Sequence, residues 1–219
     1  MNELQNYFPI WNKLTEIEQA LLLKNTRLEK AEKGKIIREG STCVGLLVIT
    51  SGQLRAYITS AEGRQITIYR LLDYDICLFS ASCMMKDIQF EITIEAEKES
   101  EFFVIPAPVY KELMNSSLVV ANYTNQLLAS RITEVMWLVD QVLFKSIDKR
   151  LASFLLEESN LEDTTTLEIT HEKIASHIGS AREVITRMLK YFQSEKLVKL
   201  SRGSIELTDI ERLSALVEH

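Results

Sequence analysis

The chain has 219 residues, 46% hydrophobic and 26% charged, with a formal net charge of −6. That is enough apolar material to bury one or two cores. No apolar run is long enough to span a bilayer, no charged-then-apolar signal opens the chain, and three cysteines without framework spacing suit a reducing, cytoplasmic compartment better than a disulfide scaffold.

In chain order, Leu14, Ile17, Leu21 and Leu22 mark an amphipathic helix. From Gly34 to Ile105 short β-rich runs alternate with turns: Leu46–Thr50, Leu54–Ile58, Gln65–Leu71, Glu91–Ala96 and Glu101–Ile105. Gly40, Ser51-Gly52 and Glu62-Gly63 punctuate them. Short strands at regular spacing predict a small antiparallel barrel or roll.

A long helix follows, starting at Pro108 or Ser117 and ending at Phe144. Along it Leu118, Ala121, Asn125, Leu128, Ile132, Val135, Val139 and Val142 fall at alternating spacings of three and four. A seam of that period predicts a coiled coil between two copies of the chain, with Asn125 fixing the register by pairing with its own copy. A second strip, Leu127, Met136, Leu138 and Leu143, is expected to face the chain's own β domain. The competing reading is a single core helix inside a monomer.

The densest motif runs from Thr170 to Gln193. Ile174, Ala175 and Ile178 give a first short helix its apolar stripe, and Gly179 supplies a tight turn. Ser180 and Glu183, three apart, are expected to form a capping box that starts a second helix. Val184, Ile185, Met188, Leu189 and Phe192 would dock that helix, leaving Arg182, Glu183, Thr186, Arg187 and Lys190 on or near its outer face. Two helices joined in this way form a helix-turn-helix, whose second helix enters the DNA major groove. Leu197–Leu200 and Ser204–Leu207 then read as a hairpin with a small basic tip, Ser201-Arg202-Gly203. From Lys173 to Arg202 seven Lys and Arg stand against two Glu, a local charge of +5 on a remainder of −11. A basic patch on an acidic chain suits selective DNA docking over general adhesion.

With these residues the chain resembles the Crp/Fnr family of bacterial transcription regulators, most specifically in the winged helix and more loosely across the rest. The resemblance implies a cyclic-nucleotide-binding-type β-roll that senses a ligand. It also implies that Arg187 and Arg182 donate to guanine or phosphate and that Glu183 accepts from a cytosine amino group. Thr186 would touch a base methyl or phosphate, and Thr170, Ser201 and Arg202 would hold phosphates. Ala181 stands where many relatives carry Ser or Thr, so a phosphate hydrogen bond is missing there. The half-site implied is of the TGA type, and two recognition helices one DNA turn apart imply a pseudopalindromic site.

The expected sensor chemistry departs from that pattern. Cyclic-nucleotide members carry Gly-Glu and then Arg-Ser; here Phe90 and Glu91 take the place of Arg-Ser and no Gly-Glu precedes them. A ring and a carboxylate do not compensate a phosphate, so cyclic AMP is disfavoured. An iron–sulfur cluster of four thiolates is disfavoured by three cysteines, none before Cys43. Haem with a histidine ligand is disfavoured because His171, His177 and His219 all lie in the C-terminal part. His171-Glu172 with His177 six residues on lacks the zinc-protease spacing, and packing or surface histidines are the plainer reading. Cys77 and Cys83 are the candidate sensor pair for an oxidant or a small metabolite, against the plainer reading of small core residues.

The expectation is therefore an α+β chain: a jelly-roll-like antiparallel β-roll sensor with its N-terminal helix (1–115), a dimerisation helix (116–145) and a winged helix-turn-helix (146–219). The expected function is a non-enzymatic regulator that binds double-stranded DNA as a homodimer, with no cofactor, no membrane partner and an unassigned small-molecule or redox effector. The sequence has no phosphate-binding glycine loop, nucleophile–base motif or metal-ligand spacing. RNA polymerase stays an open partner, since no motif identifies a surface for it. The alternative is a ligand- or redox-sensing interaction module that does not read DNA sequence.

Overall fold

The structure, a computed structural model, describes residues 3–40, 43–80 and 91–218. Two short 3-10 turns lead into helix α1 (Glu16–Asn25). A reciprocal cap starts it: Thr15 Oγ1 accepts from Glu18 N–H, and the Thr15 N–H donates to Glu18 Oε2 at 2.7 Å.

Among the described residues eight strands then build two four-stranded antiparallel sheets. They are β1 (Arg27–Ala31), β2 (Ile36–Arg38), β3 (Leu46–Ser51), β4 (Leu54–Thr59), β5 (Gln65–Leu71), β6 (Ile76–Cys77), β7 (Thr93–Ala96) and β8 (Ser100–Ile105). One sheet has the order β1-β8-β3-β6 and the other β2-β7-β4-β5. In the first sheet Val48 pairs with Phe103 and Leu47 with Val104. Because side chains alternate along a strand, Leu47, Ile49, Phe102 and Val104 enter the core shared with the second sheet. Leu46, Val48, Phe103 and Ile105 enter the core made with the N-terminal turns, α1 and the helices that follow β8. Burial on both faces explains why β3 and β8 read as unbroken apolar runs. At the β3–β4 turn Gly52 has φ +99°, and a Cβ there would lie 2.4 Å from the Glu99 carbonyl oxygen, so no side chain fits. The sequence missed β1, β2 and β6, which are short or carry charge.

Helix α2 (Ala107–Ser116) ends at Ser117, and the long helix α3 spans Leu118–Phe144. Its inward stripe is Val120, Thr124, Leu127 and Arg131, with Tyr110 Oη 2.9 Å from Thr124 Oγ1. Polar residues on that stripe hid it from a hydrophobicity pattern. Met136 and Leu143, expected to face inward, are instead 60% and 67% exposed in the single chain. They join Leu118, Asn125, Ile132, Val139 and Val142 on the outside, while Ala121, Leu128 and Val135 are half-buried.

The C-terminal part contains α4 (Ile147–Leu161), β9 (Thr166–Leu167), α5 (His171–Ile178), α6 (Arg182–Ser194), β10 (Val198–Ser201), β11 (Ser204–Leu207) and α7 (Ile210–Glu218). Its sheet has the order β10-β11-β9, and Leu200 pairs with Ile205 across the hairpin. One apolar core, including Leu151, Leu155, Ile174, Ile185, Leu189, Phe192, Ile205 and Leu213, joins the helices to this sheet. By contacts the chain forms two compact units, 1–58 with 68–135 and 59–67 with 136–219. The tip of the β4–β5 hairpin thus belongs to the second unit, where Thr67 Oγ1 lies 2.9 Å from His177 Nδ1.

Candidate nucleic-acid interface

The turn between α5 and α6 sets the presentation of the second helix. Thr170 caps α5, its Oγ1 accepting the Lys173 N–H at 3.1 Å. The hydroxyl hydrogen stays available, so the cap and the phosphate contact implied for Thr170 are compatible. Gly179 ends α5 in the left-handed region, φ +68°. The backbone N–H groups of Gly179 and Ser180 both return to the Ala175 carbonyl. Arg150 donates to the carbonyl of Ile178, fixing the same end.

The expected capping box of α6 does not form. Ser180 is used to close α5, so the N-cap falls one residue later on Ala181, which has extended backbone and no side chain to cap with. The first turn of α6 therefore has no side-chain cap; its Val184 N–H returns to the Ala181 carbonyl, and Arg182 and Glu183 stand exposed beside it.

Ile185, Leu189 and Phe192 anchor α6 in the core. This leaves Arg182, Glu183, Arg187 and Lys190 exposed and Thr186 half-buried, the five together lining a shallow concavity of about 310 Å³. Beside it, a cleft of about 360 Å³ lies between the start of α5 and the β10–β11 hairpin, lined by Thr170, His171, Arg182, Ser201 and Ser204 among others. Arg202, at the exposed tip of the hairpin, does not line that cleft. The sequence-derived set thus falls on one helix face, one helix start and one hairpin, while Ser180 serves the turn.

Sequence reasoning passed over His171. Its Nδ1 lies 2.9 Å from Thr186 Oγ1, linking α5 to the outer face of α6. Burial, and then the charges of Arg182 and Lys190, hold its pKa below the usual histidine range. His177 is a packing residue, buried and tilted against Phe154 with ring centroids 5.2 Å apart.

The interior of the first unit carries charges that no motif announced. Arg38 and Arg55 are 3% and 1% exposed, and the Arg70–Glu97 pair, at 3.0 Å, is buried on both sides. Arg131 of α3 donates to both Glu134 carboxylate oxygens at 2.6 and 2.7 Å and to the Ile76 carbonyl at 3.1 Å. Its guanidinium also lies 4.5 Å from the Tyr69 ring centroid. Cys77 is a buried free thiol with Tyr69 Oη 3.6 Å from Sγ. Cys83 lies outside the described residues. Cys43 is disulfide-bonded, which the expectation of three thiols in a reducing compartment did not foresee.

Comparison with known proteins agrees with this arrangement. Residues 149–216 match the Crp-like helix-turn-helix domain, and residues 28–117 match the cyclic nucleotide-binding domain. A solved transcriptional regulator of the Crp/Fnr family from Eubacterium rectale is 57% identical, covering 98% of this chain and all of that one, with a TM-score of 0.96. The cyclic AMP receptor protein of Thermus thermophilus is 25% identical over 96% of this chain and 95% of its own length. The c-di-GMP-responsive global regulator CLP of Xanthomonas campestris shares the fold at 14% identity, with a TM-score of 0.74 over 88% of this chain and 99% of that one. The chain belongs to the Crp/Fnr family of DNA-binding transcription regulators.

Proposed function

We propose that the chain acts in the cytoplasm as a homodimer on a pseudopalindromic DNA site, without enzymatic activity and without cyclic AMP as its signal. The observation that carries the reading is the concavity on α6, where Arg182, Glu183, Thr186, Arg187 and Lys190 stand together beside the basic hairpin. Arg187 and Arg182 supply donors for guanine or phosphate, and Glu183 supplies an acceptor for a cytosine amino group. Thr170, Ser201 and Arg202 hold the backbone on either side.

Support for the dimer comes from α3. An exposed apolar stripe containing Leu118, Ile132, Met136, Val139 and Leu143 is more than a lone surface helix carries, and a second copy would cover it. Asn125 is exposed within that stripe, where its copy can pair with it. A shift of the paired helices would change the spacing of the two recognition helices; equal spacing with and without effector would count against that step.

The case against cyclic AMP rests on Phe90 and Glu91, which bring no positive charge to a phosphate, and is supported by Arg131, whose terminal nitrogens are engaged by the Glu134 carboxylate and the Ile76 carbonyl. A redox or small-molecule role for Cys77 would require reaching a buried thiol.

Selection of bound duplexes from a random pool, with reductant and no added ligand, tests the reading. Enrichment of a two-fold-related motif is expected. No enrichment by an intact dimer, alone or in cell extract, would sink it. Arg187→Ala should cost about 1–3 kcal/mol of binding and relax one position of the motif. A silent Arg187→Ala would favour an interaction module that reads no DNA sequence.

A further inference from the structure

The bond between His171 and Thr186 joins the two surfaces of the interface. His171 lines the cleft beside the hairpin, and Thr186 lines the concavity on α6. Neither capping nor docking needs it, since Thr170 caps α5 and Ile185, Leu189 and Phe192 dock α6. The charged groups around the imidazole are Arg182 and Lys190 from α6 and Glu172 from its own turn. The hairpin offers the cleft Ser201, Gly203, Ser204 and Ile205, with no charge among these lining residues. Burial and the two cations keep the ring neutral in the free protein at neutral pH.

A neutral ring carries one hydrogen and has to choose. If Nδ1 accepts from the Thr186 hydroxyl, that hydroxyl has no hydrogen left for DNA. If Nδ1–H donates to Thr186, Nε2 is a bare acceptor and disfavours a phosphate. With a second proton both conflicts end: Nδ1–H donates to Thr186 Oγ1, the threonine hydrogen turns to a base or phosphate acceptor, and Nε2–H serves a phosphate oxygen. Phosphates in the cleft would also offset the field of Arg182 and Lys190.

We propose that His171 is a positioning residue for DNA reading, fixing the Thr186 contact and taking a proton from solvent as the duplex binds. This rests on the DNA-binding reading above. The ring's pKa is then higher in the complex than in the free protein. The added affinity is full below the free value and is lost as pH rises through the value in the complex.

The test measures affinity for a selected duplex at fixed ionic strength from about pH 5.5 to 8, across the histidine range. Wild type, His171→Asn, His171→Ala, Thr186→Val and the double variant of the last two are compared. Wild type should bind about three- to tenfold tighter at the acid end, the size of a pKa change of up to one unit. Asn can hold Thr186 but takes no proton, so His171→Asn should match wild type at the alkaline end and lose the slope. His171→Ala and Thr186→Val should each weaken binding about two- to tenfold, the range of one hydrogen bond. The double variant should be no weaker than either, and all three should relax the same position of the motif. Retention of the wild-type slope by His171→Asn, or additivity of the two single effects, would overturn the proposal while leaving selective DNA binding intact. A wild type that selects no motif at any pH would overturn the DNA-binding reading and this one with it.

Discussion

The two halves of the chain keep their charges in opposite places. From α4 onward the described buried residues are apolar except for Glu158 and His177, and the proposed DNA-reading groups Arg182, Glu183, Arg187 and Lys190 are all exposed. In the first unit Arg38 and Arg55 of the β-roll and Arg131 of α3 are buried, as is the Arg70–Glu97 pair. Charges on the exposed face of α6 remain hydrated in the free protein, so the fold depends little on them. Charges in the roll have left water permanently and must be met by carboxylates, carbonyls and ring faces already in place.

The sharpest way to break this contrast is at Glu97. Its Oε2 accepts from Arg70 Nε and from Gln53 Nε2, both at 3.0 Å. Glu97→Ala leaves a buried guanidinium without this carboxylate and should cost about 3–5 kcal/mol in denaturant unfolding. Arg187→Ala should leave unfolding within about 0.5 kcal/mol of wild type, since its cost falls on DNA binding. A Glu97→Ala loss below about 1 kcal/mol would mean that the roll tolerates its charges as the surface does.

The same contrast explains what was legible in the sequence. Exposed chemistry on a regular helix leaves a pattern, because apolar anchors at Ile185, Leu189 and Phe192 assign Arg182, Glu183, Arg187 and Lys190 to the opposite face. Strands β3, β4, β5 and β8 were legible for the same reason, as apolar runs between turn residues. Buried charge leaves none: Arg38, Arg55 and Arg131 look like surface residues until pairing and packing enclose them. Thr124 and Arg131 on the inward side of α3 likewise sent the expected strip to Met136 and Leu143, which are exposed. His171 was missed because its partner Thr186 lies fifteen residues away, on another helix.

Gly179 offers an intermediate test, where backbone geometry sets the turn between α5 and α6. At φ +68° any side chain is strained, and a Cβ would lie 2.8 Å from Ile66 Cδ1. The isoleucine can yield more easily than the backbone, so the strain of the left-handed conformation should dominate. Gly179→Ala should cost about 1–3 kcal/mol in unfolding. Ile66→Ala in that background should restore only a minor part, which thermal or denaturant unfolding of the three variants would resolve. Full restoration would make crowding the cause.

The smallest expected effect separates a motif from its use. Ser180 with Glu183 and Thr15 with Glu18 have the same spacing, yet only the second forms a capping box. The 3-10 turn before Thr15 is closed one residue earlier by the Leu14 N–H, so the Thr15 hydroxyl and N–H are left to engage Glu18. The Ser180 N–H closes α5 on the Ala175 carbonyl at 3.0 Å, and α6 takes Ala181 as its N-cap. Thr15→Ala should therefore cost about 1 kcal/mol of stability, the usual loss for a cap. Ser180→Ala should stay within about 0.5 kcal/mol, as for a side chain without such a role. Equal losses at the two positions would mean that Ser180 caps α6 as Thr15 caps α1 and that closing α5 does not occupy it.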